Sequence, residues 1–244
     1  MGRPPSPLIM GGSGKPPLLG GWGTKAILFD FYDTLAYLDP AVIEAGRREL
    51  ARRAGVAVDD FAPLWRENRR ARMLGTAGDL ATQLHDMLGS VMAAPEPAVI
   101  AELVELEERS WRRAVRLYPD SKPTLRKLRR RGLRLGILSN CSCQAGAVIR
   151  SLGLPKLVDA VVLSFEVGLA KPDPAIYRKA CAALEVAPSA CAFVADGAGG
   201  ELEAAGALGL FTVKIRRPNQ HAPEDFAVRA DRRVESLEEV PGLL

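Results

Sequence analysis

Apolar residues follow two different patterns along the chain, and the pattern changes near residue 118. Over residues 39–117 they recur mostly at the three- and four-residue spacing of helices that are apolar on one face. After residue 118, short apolar runs alternate with segments of helical periodicity, and one similar run, over 25–29, precedes the helical stretch. The chain therefore predicts an α/β core that is interrupted, after its first strand, by a set of helices.

The predicted strands are short apolar runs at 25–29, 133–138, 160–163, 192–194 and 211–215. Helices are predicted between the later strands, over 122–131, 142–152, 174–184 and 201–208. Short strands that alternate with helices indicate a parallel sheet covered on both faces. We therefore predict a doubly wound α/β fold.

Residues 38–117 are predicted to form a helical domain inserted after the first strand. Asp39 and Pro40 make a good helix start, and Gly55 ends that helix. Further helices are predicted over 59–74, 79–88 and 96–117, with no strand in this stretch.

The core domain is predicted to comprise residues 25–37 and 118–244. Residues 1–24 are rich in Pro and Gly and have no periodicity, so they are predicted to be a disordered tail.

Composition narrows the possible partners. The chain has 244 residues, of which 48% are hydrophobic, enough for one domain with an insertion. The net charge of +4 is small, and the basic run 126–131 fits the last turn of a helix, so we predict no nucleic-acid partner. No apolar run approaches the ~18 residues of a membrane span, and we predict no membrane partner. A small molecule is the expected ligand, and the protein is expected to be a monomer or a homodimer.

The four cysteines, at 141, 143, 181 and 191, are predicted to be reduced thiols in a cytoplasmic protein. Cys141 and Cys143 are too close together for the usual Cys-x-x-Cys metal or redox spacing. With two histidines in the chain, a histidine-rich metal site or a Ser/His/Asp triad is not expected.

Polar residues follow several predicted strands at the point where each strand ends, and ligands bind at this edge of a parallel sheet. In chain order these residues are Asp30, Thr34, Ser139, Asn140, Lys171, Asp196 and Glu201. A carboxylate at the end of a buried strand is costly unless it is used, and it can act as a nucleophile that forms a covalent intermediate. Taken singly, each residue also has a structural explanation, such as a turn cap for Asp30 or a favourable helix N-terminus for Glu201.

Four segments together resemble the haloacid dehalogenase superfamily of hydrolases, over about residues 25–215. They are Asp-Phe-Tyr-Asp-Thr-Leu at 30–35, Leu-Ser-Asn at 138–140, Ser-Phe-Glu-Val-Gly-Leu-Ala-Lys-Pro-Asp-Pro at 164–174, and Val-Ala-Asp at 194–196 with Glu201. The insertion resembles the family's α-helical C1 cap. The resemblance implies a sheet with its strands, numbered along the chain, in the order 3-2-1-4-5.

The resemblance also implies roles for the residues. Asp30 would be the nucleophile and Lys171 would neutralise charge, while Thr34, Ser139 and Asn140 would contact the substrate. Asp30, Asp196, Glu201 and the backbone carbonyl of Tyr32 would bind Mg²⁺. The charges agree with this, because carboxylates and a phosphate share a small site only with positive charge nearby. Lys171 supplies one such charge, and a hard dication with oxygen ligands supplies the rest.

One departure from the family pattern leaves the reaction open. Family phosphatases usually carry a second Asp two positions after the nucleophile, and this chain has Tyr32 there. A phenol with a pKa near ~10 is a poor general acid at neutral pH. Tyrosine at this position is typical of the superfamily's 2-haloacid dehalogenases, which need no metal, and Tyr32 would then contact the substrate.

A second segment, Leu-Trp-Arg at 64–66, resembles the part of the dehalogenases that supplies their substrate-binding arginine. Arg66 would pair with a substrate carboxylate or phosphate, or it is simply one of several arginines on that helix. Against dehalogenation, Asp196 would repel a haloacid carboxylate unless a cation is bound.

The leading hypothesis is therefore a Mg²⁺-dependent phosphatase that acts on a small phosphorylated metabolite through an aspartyl-phosphate on Asp30. The alternatives are a metal-independent 2-haloacid dehalogenase that uses the same Asp30, and a catalytically weak binding or regulatory protein.

Overall fold

Helices cover both faces of a parallel β-sheet in the computed structural model, which describes residues 23–92, 95–218 and 228–243. Ile27 and Phe29 belong to the hydrophobic cluster on one face of the sheet, and Ala26 and Leu28 belong to the cluster on the other. Successive residues of a strand point to opposite faces, so a strand that is apolar throughout is buried on both sides. The tail predicted over residues 1–24 lies outside the described residues except for its last two.

The sheet has six strands, and all of its neighbouring pairs are parallel. From edge to edge they are β5 (Ala160–Leu163), β4 (Arg134–Ser139), β1 (Ala26–Phe29), β6 (Cys191–Ala195), β7 (Phe211–Ile215) and β8 (Arg232–Val234). The first five strands confirm the predicted order 3-2-1-4-5. The sixth strand was not predicted, because Arg-Arg-Val is not an apolar run.

Two further strands form a separate antiparallel pair, β2 (Ala36–Leu38) with β3 (Val115–Leu117). They flank the helical insertion on its two sides in the sequence. The prediction of a helix as far as residue 117, with no strand in the insertion, is wrong at this end. The helix stops at Ala114, and the next three residues pair with a segment nearly 80 positions away in the chain, a partner that local periodicity does not reveal.

The insertion itself contains five helices, which we call the helical unit, with its own hydrophobic cluster. They are α1 (Pro40–Ala54), α2 (Val58–Glu67), α3 (Arg69–Met73), α4 (Leu80–Gly89) and α5 (Pro97–Ala114). The predicted start and end of α1 are confirmed. Asp39 Oδ1 accepts hydrogen bonds from the backbone of Ala41 and Val42, and Gly55 takes the left-handed conformation, with φ of 74°.

The single helix predicted over 59–74 is instead two helices, which meet at Asn68. Across this break the guanidinium of Arg72 donates a hydrogen bond to the backbone carbonyl of Trp65. The two helices are thus joined by a side-chain contact that the apolar spacing alone does not indicate.

The helices of the core lie within a residue or two of their predicted positions. They are α6 (Ser121–Arg130), α7 (Cys143–Ser151), α9 (Pro174–Ala183) and α10 (Glu201–Ala207), together with the short, unpredicted α8 (Ser164–Val167). The basic run does end a helix, as predicted. None of the described helices is both long enough and apolar enough to cross a lipid bilayer.

Candidate active site

The predicted site residues meet at the carboxyl edge of the sheet. Asp30 directly follows β1, and its backbone amide donates to the carbonyl of Val194 in β6 (2.9 Å). Asp196 directly follows β6, while Ser139 is the last residue of β4. Neighbouring parallel strands that end together therefore bring these side chains to one place.

Lys171 joins two of the carboxylates. Its Nζ donates to Asp30 Oδ1 and to Glu201 Oε2, the latter at 2.5 Å, and all three residues are buried. The backbone of Lys171 is held by Asn140, whose side-chain amide donates to the Lys171 carbonyl and accepts from the Lys171 amide, both at 2.8 Å. Asn140, which was predicted to bind the substrate, lines the cavity described below, and its amide group also positions Lys171.

Negative charge is concentrated at this point, because three buried carboxylates lie together and the one ammonium group described among them, that of Lys171, bonds to two of them. Burial raises the pKa of Asp30 to about 6, with Lys171 opposing the rise and Asp196 adding to it. Burial likewise raises the pKa of Glu201 to about 8, against the attraction of Lys171. Burial would lower the pKa of Lys171, but the attraction of Asp30 and Glu201 outweighs it and leaves that pKa above its usual value. The cluster therefore lacks positive charge.

The same carboxylates have the geometry of a cation site. One oxygen from each of Asp30, Asp196 and Glu201 lies within 4.8 Å of the others. Carboxylate oxygens are the ligands that Mg²⁺ prefers, so the donor set fits this ion. Both oxygens of Glu201 accept hydrogen bonds, Oε2 from Lys171 and Oε1 from the Gly197 amide (3.1 Å). To act as a ligand, Glu201 would have to share or exchange one of these bonds.

Two hydroxyl groups next to the cluster have unused hydrogen-bonding capacity. Thr34 and Ser139 are fully buried, and in the described part of the chain neither hydroxyl oxygen has a hydrogen-bond partner. Buried hydroxyls are normally paired, and unpaired ones indicate a binding function or an additional bound group. Neither residue contributes to the cavity wall described below.

Tyr32 contributes a phenol where a second carboxylate is usual in family phosphatases. Its ring packs edge-on against Phe31 and Trp111, and its hydroxyl group is buried with no partner among the described residues. Burial, reinforced by Cys141 and Asp30, raises the pKa of Tyr32 well above 10.0. The phenol therefore stays protonated at neutral pH and is a weak acid, so it can donate a hydrogen bond but is poorly suited to transfer a proton.

A cavity of about 800 Å³ opens between this cluster and the helical unit. Its wall includes apolar side chains, among them Leu38, Trp65, Met73 and Trp111. The helical unit also supplies four arginines to the wall, namely Arg47, Arg66, Arg69 and Arg72. The cavity is within the size range of small-molecule sites and is anionic at the core and cationic at the helices.

The most buried arginine of the cavity wall is not the one that the sequence predicted. Arg66, the predicted substrate contact, lines the cavity but is exposed, whereas Arg72 is buried. Arg47 and Arg72 were not predicted. The sequence carries a weak signal that Arg72 is buried, since arginines that follow one another in a helix cannot all face solvent. The break at Asn68 then sets which side of α3 faces inward.

A family model covers most of the chain. The model described as haloacid dehalogenase-like hydrolase matches residues 24–209. The chain belongs to this family. The predicted family membership, the fold class and a hydrolase activity are therefore confirmed.

Relatives of this family member carry out both of the reactions considered above. Glyceraldehyde 3-phosphate phosphatase of Methanopyrus kandleri is 32% identical over 79% of this chain and 84% of its own length. (S)-2-haloacid dehalogenase 1 of Pseudomonas sp. (strain CBS-3) is 30% identical over 90% of this chain and 96% of its own. These relatives act on small molecules, and they do not decide between phosphate esters and haloacids.

A solved structure shows the same fold. The 2-haloacid dehalogenase from Pseudomonas syringae pv. Tomato DC3000 superposes with a TM-score of 0.70 over 90% of this chain and 97% of its own, at 22% identity. At this identity the likeness concerns the fold alone.

Proposed function

We propose that the protein is a Mg²⁺-dependent phosphohydrolase that acts on a small phosphorylated metabolite through an aspartyl-phosphate on Asp30. The observation that carries the proposal is the buried group of Asp30, Asp196 and Glu201, with one lysine among them. Such a group is costly to hold together without a cation, and a phosphate brings still more negative charge.

In this reaction an oxygen of the Asp30 carboxylate attacks phosphorus, and the bond between phosphorus and the ester oxygen breaks. The leaving alkoxide takes a proton from water, and the hydroxide that remains takes up the proton that the second, attacking water releases in the next step. A second water then attacks phosphorus, the bond to Asp30 breaks, and free phosphate and the Asp30 carboxylate result. Lys171 offsets the negative charge next to Asp30. The hydroxyls of Thr34 and Ser139, which are buried outside the present cavity wall, would donate to the phosphoryl oxygens if the bound phosphate reaches past that wall.

Mg²⁺, held by the carboxylates of Asp30 and Asp196 and the backbone carbonyl of Tyr32, with Glu201 beside them, would supply the positive charge that the cluster lacks. In this scheme Asn140 holds the backbone of Lys171, so that the lysine ammonium group stays hydrogen-bonded to the Asp30 carboxylate.

The domain division belongs to the same proposal. Residues 38–117 act as an α-helical cap on a core of residues 25–37 and 118–244. The cavity between them supports this, because a substrate on Asp30 would be enclosed by the helical unit and shielded from water. Arg66 would contact the substrate from the cap.

A second candidate is a metal-independent 2-haloacid dehalogenase, and Tyr32 is the observation that favours it. Here Asp30 would attack carbon, the carbon–halogen bond would break, and halide would leave without a proton. The resulting ester would then be hydrolysed. The 30% identity to a dehalogenase over 90% of the chain adds support.

The test measures product release and metal binding separately. Phosphate release from a panel of phosphate esters and acyl phosphates, and halide release from L-2-chloropropionate, are followed with Mg²⁺ and with EDTA. We expect phosphate release that EDTA abolishes, and a Mg²⁺-dependent rise in the melting temperature that Asp196→Asn removes.

The Asp30→Asn variant should lose turnover. Asp86→Asn, which changes an exposed aspartate in α4, should keep it. Substantial activity of the Asp30→Asn variant would rule out the covalent mechanism. Halide release indifferent to EDTA would decide for the dehalogenase, and absence of both activities would favour a binding or regulatory protein.

A further inference from the structure

Arg72 is a buried cation that uses only part of its hydrogen-bonding capacity. The residue is 6% exposed, and its Nη2 donates to the Trp65 carbonyl. The guanidinium also lies over the Trp65 ring, 4.6 Å from its centre. Its Nη1 is buried and has no hydrogen-bond partner in the described ranges. A buried, unpaired donor on a charged group is costly, and proteins keep such groups mainly where they bind something.

The surroundings of Arg72 on balance disfavour its charge. Burial lowers its pKa, and repulsion from Arg47 lowers it further. Glu107 attracts Arg72, but the carboxylate of Glu107 is itself engaged by the Trp111 indole, which donates to its Oε1 at 2.7 Å. An anion placed beside Arg47 and Arg72 would therefore be attracted by both, without an excess of protein carboxylate to repel it.

Arg47 and Arg72 belong to the same cavity wall, and Asp30 lies in the wall of that cavity on the core side. A substrate whose reacting group is on Asp30 extends into the space that the two arginines border. The cavity volume of about 800 Å³ leaves room for a small metabolite with a charged group at each end.

We propose that Arg72, assisted by Arg47, binds a second anionic group of the substrate, so that the preferred substrates are small phosphate esters that also carry a carboxylate or a second phosphate. The inference rests on the proposed phosphohydrolase function for the group that reacts at Asp30. The planar guanidinium suits a two-point contact with such an oxyanion. The unused Nη1 is covered in this structure, so binding of the anion would require the side chain of Arg72 to turn towards the cavity that the residue lines.

The experiment measures binding by calorimetry in an Asp30→Asn background with Mg²⁺, where no turnover is needed. The probes are 3-phosphoglycerate and glycerol 3-phosphate, which differ by a carboxylate against a hydroxymethyl group at the same carbon. We expect 3-phosphoglycerate to bind about 10- to 100-fold more tightly, the size of a hydrogen-bonded charge pair. Propane-1,3-diol bisphosphate, compared with propyl phosphate, tests whether a second phosphate serves as well as a carboxylate.

The Arg72→Met change should abolish the preference, so that 3-phosphoglycerate and glycerol 3-phosphate bind with equal affinity. Arg70→Met is the matched control, because Arg70 is exposed on the same short helix and does not line the cavity. Because Arg72→Met also removes the bond to the Trp65 carbonyl, Arg47→Met serves as a second variant that keeps this bond. It should reduce the preference for 3-phosphoglycerate. A preference that survives both changes, or none in the parent protein, would overturn the proposal.

Failure of the proposed function gives a different result. If neither phosphate ester binds, the phosphohydrolase proposal fails, and the arginines are tested with L-2-chloropropionate against 2-chloropropionamide, which lacks the negative charge. Tighter binding of the acid that Arg72→Met removes would support an anion site at Arg72, whereas equal binding of acid and amide would overturn it.

Discussion

Single residues at this site act through partners that are distant in the sequence. The family resemblance implied that Asn140 contacts the substrate; the residue lines the cavity, and its amide is also bonded to the backbone of Lys171. Glu201 was predicted as a metal ligand, and both of its oxygens already accept hydrogen bonds. The kind of residue at each strand end could be predicted from the sequence, but the partner that each one selects could not.

Tyr32 gives a prediction about leaving groups. Because no carboxylate stands at this position, alkyl phosphates should react about 10²- to 10⁴-fold more slowly than acetyl phosphate or p-nitrophenyl phosphate, whose leaving groups need no proton. The measurement is kcat for both substrate types in the wild-type protein and in Tyr32→Asp, which should narrow the difference. Tyr32→Phe is the control and should leave the difference in rate unchanged. Equal rates for alkyl and activated phosphates in the wild type would contradict the prediction.

At the scale of elements, the helical unit is held against the core at a few close approaches. One is at Gly75, between α3 and α4, which has φ of 73° and lies against the backbone carbonyl of Phe165 in α8. A methyl group at Gly75 would overlap that oxygen, so α3 and Arg72 would have to move away from the core. The position of the cationic wall therefore depends on a residue with no side chain.

Gly75→Ala should therefore lower the free energy of unfolding by more than the strain of a positive φ alone would. Gly55 is a matched control, since its φ is 74° and a methyl group there meets nothing within 4 Å. Gly55→Ala should destabilise the fold by about 1–2 kcal/mol, the strain of the left-handed conformation. Gly75→Ala should cost more than this in urea unfolding and should also raise KM, because the cavity wall shifts. Equal losses of stability, with KM unchanged, would show that the approach to Phe165 is unimportant.

At the scale of the whole molecule, one buried ion pair ties together four distant parts of the chain. Arg217 donates to the Thr34 carbonyl through Nε (3.1 Å) and Nη2 (2.6 Å), and to both oxygens of Asp120. Asp120 also accepts from the hydroxyl of Ser236 and the amide of Leu237. The loop that carries Thr34 is thus connected to the ends of the core sheet.

Replacing Asp120 by Asn should therefore destabilise the whole fold. Burial alone would raise the pKa of Asp120, but the hydrogen bonds from Arg217, Leu237 and Ser236 and the charge of Arg217 outweigh it and hold the pKa below its usual 3.8. A lowered pKa gives stability that is present above the unfolded value and is lost as the pH falls through the folded value. We expect a loss of about 3 kcal/mol at pH 7, because the Arg217 charge is left unpaired.

The loss should begin to shrink as the pH falls below about 4, because the unfolded chain then takes up a proton at Asp120, and it should shrink further as the pH falls through the lower pKa of the folded protein. Urea unfolding at pH 7 and at pH 3 measures both values. Asp86→Asn, at an exposed position, should change the stability by less than about 0.5 kcal/mol at either pH. A loss for Asp120→Asn that is the same at both pH values would mean that the charge of Asp120 is not what stabilises this contact.

The sequence by itself determined the sheet, the order of its first five strands, most core helices and the sequence of chemical groups at the strand ends. The strands and helices depend on local patterns, namely apolar runs, helix caps such as Asp39, and Gly55 after a helix, whereas the strand order came from the resemblance of the four motifs to the family. The tertiary structure alone decided the pairing of β2 with β3, the edge strand β8, the break at Asn68 and the burial of Arg72. The two strand pairings join segments far apart in the chain, so no short window of sequence contains both partners. The partners at the break, Trp65 and Arg72, are seven positions apart, but apolar periodicity carries no information about a hydrogen bond from a side chain to a backbone carbonyl.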